Sequence, residues 1–240
     1  MHVPGADACL PGADACPGRG CRAWFLSFAT FNGINRNGNQ YLGGYTIYTP
    51  LNRRLELRID VPFVVSNKGR AKDTYHNRFG DLVVSPRFLL SETQDFSQLF
   101  AMNLRAPTGS RINGNGVDSL SPHYRFWYNF YANWAVRGGT GLTIPTTTGS
   151  GGTFYFANLG IGRYWEGADN ALFRQQWLTF VANFTTPLSG GTAAPTYLSL
   201  TPGYRVQIHG DWFLLAGLEV PVTSHREYGT QPILLLLKHY

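Results

Sequence analysis

Charge is scarce in this chain. Asp, Glu, Lys and Arg make up only 14% of its 240 residues, whereas soluble domains carry about a quarter. That is too little for a typical water-facing surface. Long apolar runs are missing as well, and none approaches the roughly eighteen residues that a helical membrane span requires. A chain of this kind can cross a bilayer only as strands. Cysteine is absent from the body of the sequence: Cys9, Cys16 and Cys21 all lie in the first 21 residues, which excludes a disulfide framework or a cysteine-zinc site further on. There is no Gly-x-Ser-x-Gly elbow, no His-Glu-x-x-His pair and no Walker loop. The histidines, His2, His76, His123, His209, His225 and His239, lack ligand spacing. No metal, no cofactor and no catalytic set is expected. The formal net charge is +6, but most Lys and Arg residues are scattered singly, so nucleic acid is not an expected partner.

What the chain does have is aromatics, at 15%, and 28 glycines. From residue 22 onward, segments of about ten residues alternate apolar with small or polar side chains, then give way to Gly, Asn, Pro, Ser and Thr; period two is the signature of a strand. Between Arg54 and Phe63, Leu55, Leu57, Ile59, Val61 and Phe63 share one face while Arg54, Glu56, Arg58 and Asp60 share the other. The same pattern predicts strands near 22–31, 40–49, 54–63, 79–91, 97–106, 122–132, 134–144, 153–165, 174–185, 196–208, 211–221 and 230–240. The fold class expected is all-β: a closed antiparallel transmembrane β-barrel of about twelve strands in up-and-down hairpins.

Strand length separates this from a β-sandwich. Strands of soluble proteins average about five or six residues, whereas a tilted membrane strand needs about nine to eleven. Connections also alternate: 64–78, 107–121 and 186–195 read as long loops, while Thr49 to Arg53, Asn133 and His209-Gly210-Asp211 read as tight turns. Long external loops and short periplasmic turns are the barrel arrangement. The connection near 166–173 is longer than that pattern wants. Pro62, Pro107, Pro145, Pro187 and Pro221 recur at intervals of 34 to 45 residues near ends of alternate strands, where a residue unable to donate to the ladder is tolerated. Trp24, Tyr48, Phe63, Phe79, Trp134, Trp165, Trp212 and Tyr240 gather toward strand ends, as interfacial aromatic girdles do.

Residues 1–21 stand apart as an irregular segment. Pro4 to Cys16 is a tandem seven-residue repeat, and no basic n-region and apolar h-region of an export signal precedes residue 22. Since an outer-membrane protein must be exported, the expectation is a misassigned start, with the barrel domain over 22–240.

Four segments carry a resemblance: Phe79-Gly-Asp-Leu-Val-Val-Ser-Pro-Arg-Phe-Leu-Leu90, Asn103-Leu-Arg-Ala-Pro-Thr-Gly109, Phe126-Trp-Tyr, and Arg137-Gly-Gly-Thr-Gly141. Over most of 54–240 the chain resembles a family of outer-membrane transporter-like barrels assigned to the meta-pathway of phenol degradation. The resemblance implies a bacterial outer-membrane channel or facilitator for passive uptake or efflux of small molecules, hydrophobic or aromatic ones among them. The closing Lys238-His239-Tyr240 is similar to the terminal aromatic by which barrel-assembly machinery recognises its clients, although Lys238 stands where an apolar residue is usual. Lipid, that machinery and a small-molecule solute are the expected partners.

If the apolar face meets lipid, the opposite face lines the interior. The candidate pore-lining residues are Glu56, Arg58, Asp60, Asp81, Arg87, Arg105, Arg125, Arg137, Arg205 and Glu219, with Asn103, Asn129, Asn158, Asn183 and Gln207 among them. Arginine predominates, which suits anionic or polar solutes; cross-lumen pairing of Arg with carboxylate is the competing arrangement. Two other functions stay open. A lipid-directed barrel enzyme would draw on Ser121 with His123 or Ser224 with His225, but adjacent strand residues point to opposite faces, and no third group is identifiable. A soluble carbohydrate-binding β-sandwich would leave the apolar run Leu234 to Leu237 on an exposed edge, whereas in a closed barrel that strand pairs with the first.

Overall fold

The computed structural model describes residues 24–34, 38–68, 75–76, 79–109, 116–147, 151–166, 175–189, 195–224 and 229–239. The segment 1–21, His225 and Tyr240 lie outside them. Every described element is a strand: β1 Trp24–Ile34, β2 Gly38–Pro50, β3 Leu55–Lys68, β4 Tyr75–His76, β5 Leu82–Glu92, β6 Phe96–Ala106, β7 Ser119–Tyr131, β8 Trp134–Pro145, β9 Phe154–Glu166, β10 Gln175–Pro187, β11 Tyr197–His209, β12 Trp212–Pro221 and β13 Gln231–His239. All pairings are antiparallel between sequence neighbours, apart from β3 with β5 and β1 with β13. The first strand therefore has two partners, β2 and β13, with Trp24 opposite His239 and Thr30 opposite Ile233. The Leu234–Leu237 run lies within that pairing.

Two expectations are corrected in detail. The Asn-rich stretch after Phe31 reads as a loop, yet β1 and β2 continue through it, with Ile34 opposite Gly38, leaving only residues 35–37 between them. Likewise β3 runs on to Lys68 and pairs with β4, inside what reads as the long loop 64–78. Hydrogen-bonded partners outweigh local turn propensity in both places. Pro145, Pro187 and Pro221 end their strands and Pro107 follows Ala106, but Pro62 lies inside β3. There the register with β2 shifts between Gly43 and Gly44, and the ladder to β5 stops at Asp60. A proline fits where one ladder stops and the other bulges.

Opposed residues share a face, so the register carries one parity round the whole sheet. On one side stand Phe88, Leu104, Phe130, Leu159, Leu178 and Leu234, all exposed, with Leu159 at 58% and Leu178 at 54%. Burying such a face in water-free surroundings is what a bilayer supplies. Polar atoms on this side are satisfied locally: Tyr124 donates to Gln98 Oε1 at 2.8 Å and Gln98 Nε2 donates to Ser91 Oγ at 2.8 Å. Near the short-turn ends, Lys238 lies over the Trp212 ring at 5.3 Å and Arg163 over Trp134 at 5.8 Å. Cations held against indoles suit an interface where the ring is half in lipid and the charge reaches water.

Candidate functional site

The buried side of the sheet collects the chain's charge. Following the register, Glu56 faces Arg87, Arg58 faces Ser85, and Arg105 faces Val83 on β5 and Ser119 on β7. Arg125 faces Gly139 and Arg137 faces Trp127 and Gly160; Trp177 faces Arg205. Asp60, paired with Thr46 and Val83, belongs to the same face. So do Glu219, opposite Gln231, and Asn103, Asn129, Asn158, Asn183 and Gln207. Asp81, one residue before β5, is buried beside them, and Arg58, Arg87, Arg205 and Glu219 are each more than nine-tenths buried.

These residues form separate groups rather than one ring. Near the β2–β3 turn, Arg58 Nε pairs with Asp60 Oδ1 at 2.9 Å and Arg87 pairs with Glu56. Both guanidiniums lie over the Tyr48 ring, at 5.6 and 5.3 Å, and Thr46 donates to Asp60 at 2.5 Å. Glu219 accepts from Ser199 Oγ at 2.5 Å and from Tyr197 at 3.4 Å. Asp81 Oδ1 takes the Gly109 amide at 3.1 Å. Arg137 and Arg205 belong to a third group, beside Trp177 and Phe213. Arg58 and Arg87 each carry a carboxylate, while Arg205 has no ion pair among the described residues.

The alternation missed the aromatic and aliphatic share of this face. Tyr48, Phe213, Ile233, Leu235 and Leu237 form one buried cluster, and Trp127, Ala135 and Trp177 form another. Trp127 and Trp177 meet edge to face, their centroids 4.8 Å apart. A signal for Trp177 was present, since it shares strand parity with Asn183. For Leu235 and Leu237 there was none, because four consecutive leucines erase the alternation. Gly162 makes room for one of these rings: a Cβ there would overlap Trp177 Nε1.

The hydrolase arrangement finds no support in Ser121 and His123. Both are buried on this face of β7, but Ser121 Oγ donates to Thr143 Oγ1 at 3.2 Å, and His123 Nδ1 lies 3.0 Å from the Ser121 carbonyl oxygen rather than its hydroxyl. Among the described residues no group of His, Cys, Asp and Glu is arranged to hold a metal.

A family model described as "Putative MetA-pathway of phenol degradation" matches residues 25–223. The chain belongs to that family. Among solved structures, the COG4313 outer membrane channel from Pseudomonas putida F1 aligns with a TM-score of 0.70 and 15% identity, covering 100% of both chains. The KdgM porin aligns with a TM-score of 0.57 and 8% identity over 90% of this chain and 99% of that one. A search of curated protein sequences gives no match. The fold is thus that of the porin-like outer-membrane β-barrels, and the exposed apolar face fits the same place. By family and fold the chain is similar to the channel-like β-barrels of the bacterial outer membrane.

Proposed function

We propose that residues 22–240 form a closed barrel of twelve long strands that lets small molecules cross the outer membrane passively, with no catalytic step. The pairing of β1 with both β2 and β13 supports closure. The observation that carries the reading is the single parity that puts Glu56, Arg58, Asp60, Arg87, Arg105, Arg125, Arg137, Arg205 and Glu219 opposite the exposed apolar face. Together with Asp81 these residues line the lumen.

Six of the ten are arginines, and two of those are neutralised by Glu56 and Asp60. The lumen field is positive and prefers anions. The buried aromatic clusters supply the apolar half of a path for hydrophobic or aromatic solutes, which agrees with the family's description. Assembly proceeds through recognition of β13 by the barrel-assembly machinery.

Single-channel recording in planar bilayers tests this reading, with an unboiled-against-boiled gel shift as the folding control. Steady steps with an anion-selective reversal potential are expected. A heat-modifiable barrel that never conducts would sink the channel function and leave the fold.

A further inference from the structure

Where β9 to β12 approach the short-turn rim, Tyr164, Glu166, Gln175, Trp177, Arg205 and Phe213 surround a cleft holding about 370 Å³ of space free of protein atoms and open to solvent. Arg205 is the unusual member. It is 6% exposed, and its Nε and Nη2 atoms are buried with no hydrogen-bond partner among the described residues; the same is true of Trp177 Nε1, directly across the ladder. Buried donors left unpaired are costly, charged ones most of all. Nε and Nη2 are also not an arbitrary pair. They form one edge of the guanidinium, the fork that takes a carboxylate through two parallel hydrogen bonds. The Phe213 ring lies 4.2 Å from the Arg205 guanidinium carbon. Arg137, 5.2 Å over the Trp177 ring, adds a second positive charge to the same place.

We propose that this cleft is a binding site for a small arene carboxylate, its carboxylate on the Nε–Nη2 edge of Arg205 and its ring against Trp177, Tyr164 and Phe213. The assignment rests on reading the interior as a solute path and narrows the solute to a class. Aromatic walls alone would accept a neutral ring; the unmatched fork selects the anion, because a neutral ligand leaves both donors unpaired. Both donors are shut off from water in this conformation, so the ligand engages them through a swing of the flexible Arg205 side chain.

Benzoate is the probe. It is titrated into the refolded full chain in detergent micelles with intrinsic tryptophan fluorescence as the readout, and into planar bilayers as a blocker. Saturable binding is expected, weaker by about tenfold or more for neutral benzamide and for the Arg205→Gln variant, in line with loss of a charge-assisted bidentate contact. Trp177→Phe keeps the ring but removes the third donor, and it weakens benzoate by a few-fold should Arg205→Gln fail to fold. A flat titration, equal binding of benzamide, or displacement by chloride at equal concentration overturns the site. Conductance steps without saturable benzoate binding leave the channel and remove this inference; benzoate binding without any conductance does the reverse.

Discussion

Asp81 and Gly109 close a clasp at the loop-bearing rim: the Asp81 carboxylate accepts the Gly109 amide at 3.1 Å, and the Thr108 hydroxyl accepts the Leu82 amide at 2.9 Å. The Gly80 amide completes it by donating to the Pro62 carbonyl at 2.7 Å. These are the Gly-Asp-Leu and Pro-Thr-Gly segments that carry the family resemblance, so the two motifs are halves of one structure joining β3, β5 and β6.

The clasp leaves no room for a side chain at Gly109, where a Cβ would sit 2.7 Å from the Gly80 carbonyl carbon and 2.8 Å from Asp81 Oδ1. Gly109→Ala is expected to cost about 1–3 kcal/mol, as overpacking does. Urea titration of the refolded barrel reads this as a lower midpoint. An unchanged midpoint would mean the motif is not a structural device.

Ala132 occupies the first position of the two-residue turn between Tyr131 and Trp134 with φ of 39°. Two-residue hairpins with a positive φ at that position favour glycine. Ala132→Gly relieves about 1 kcal/mol, seen as a higher temperature for conversion of the compact gel form to the unfolded one. A lower temperature would show that the alanine is not strained there.

Much of this fold was legible because the bilayer enforces alternation. From Leu55 to Val61 each side chain faces one side of the sheet or the other, so alternation alone puts Glu56, Arg58 and Asp60 on one side. Legibility stops where both sides accept the same residue. Leu235 and Leu237 pack inside against Phe213 and Tyr48, while Leu234 faces outward; composition cannot separate them. Turn chemistry misled after Phe31, since the ladder between β1 and β2 carries Asn and Gly as readily as a loop does. The partners of the interior charges were illegible for another reason. Glu56 and Arg87 stand 31 positions apart and meet only through the register of β3 with β5.

That pair gives a further prediction. Glu56→Gln leaves the buried Arg87 guanidinium without its carboxylate partner, and breaking one side of a buried pair costs about 3–5 kcal/mol. Replacing both together, as Glu56→Gln with Arg87→Gln, costs less than the two single losses summed, because the two changes remove one shared contact. Urea midpoints of the four proteins in a double-mutant cycle read the coupling; additive losses would show that the contact contributes nothing.

Selectivity separates the arginines that balance an acid from those that colour the lumen. Arg105 is half-buried and forms no ion pair with a described residue, so on the proposed channel function Arg105→Gln removes one positive charge from the lumen. The reversal potential in a salt gradient shifts toward cations while the urea midpoint holds. Arg58→Gln behaves differently. It strands Asp60, which Arg58 contacts at 2.9 Å, so the barrel loses stability as well as anion preference. Raising the salt on both sides of the bilayer shrinks the Arg105 effect on selectivity, because the field of a half-solvated charge is screened within about 10 Å at 0.1 M. An Arg105 variant with wild-type selectivity at low salt would take that residue out of the conducting path.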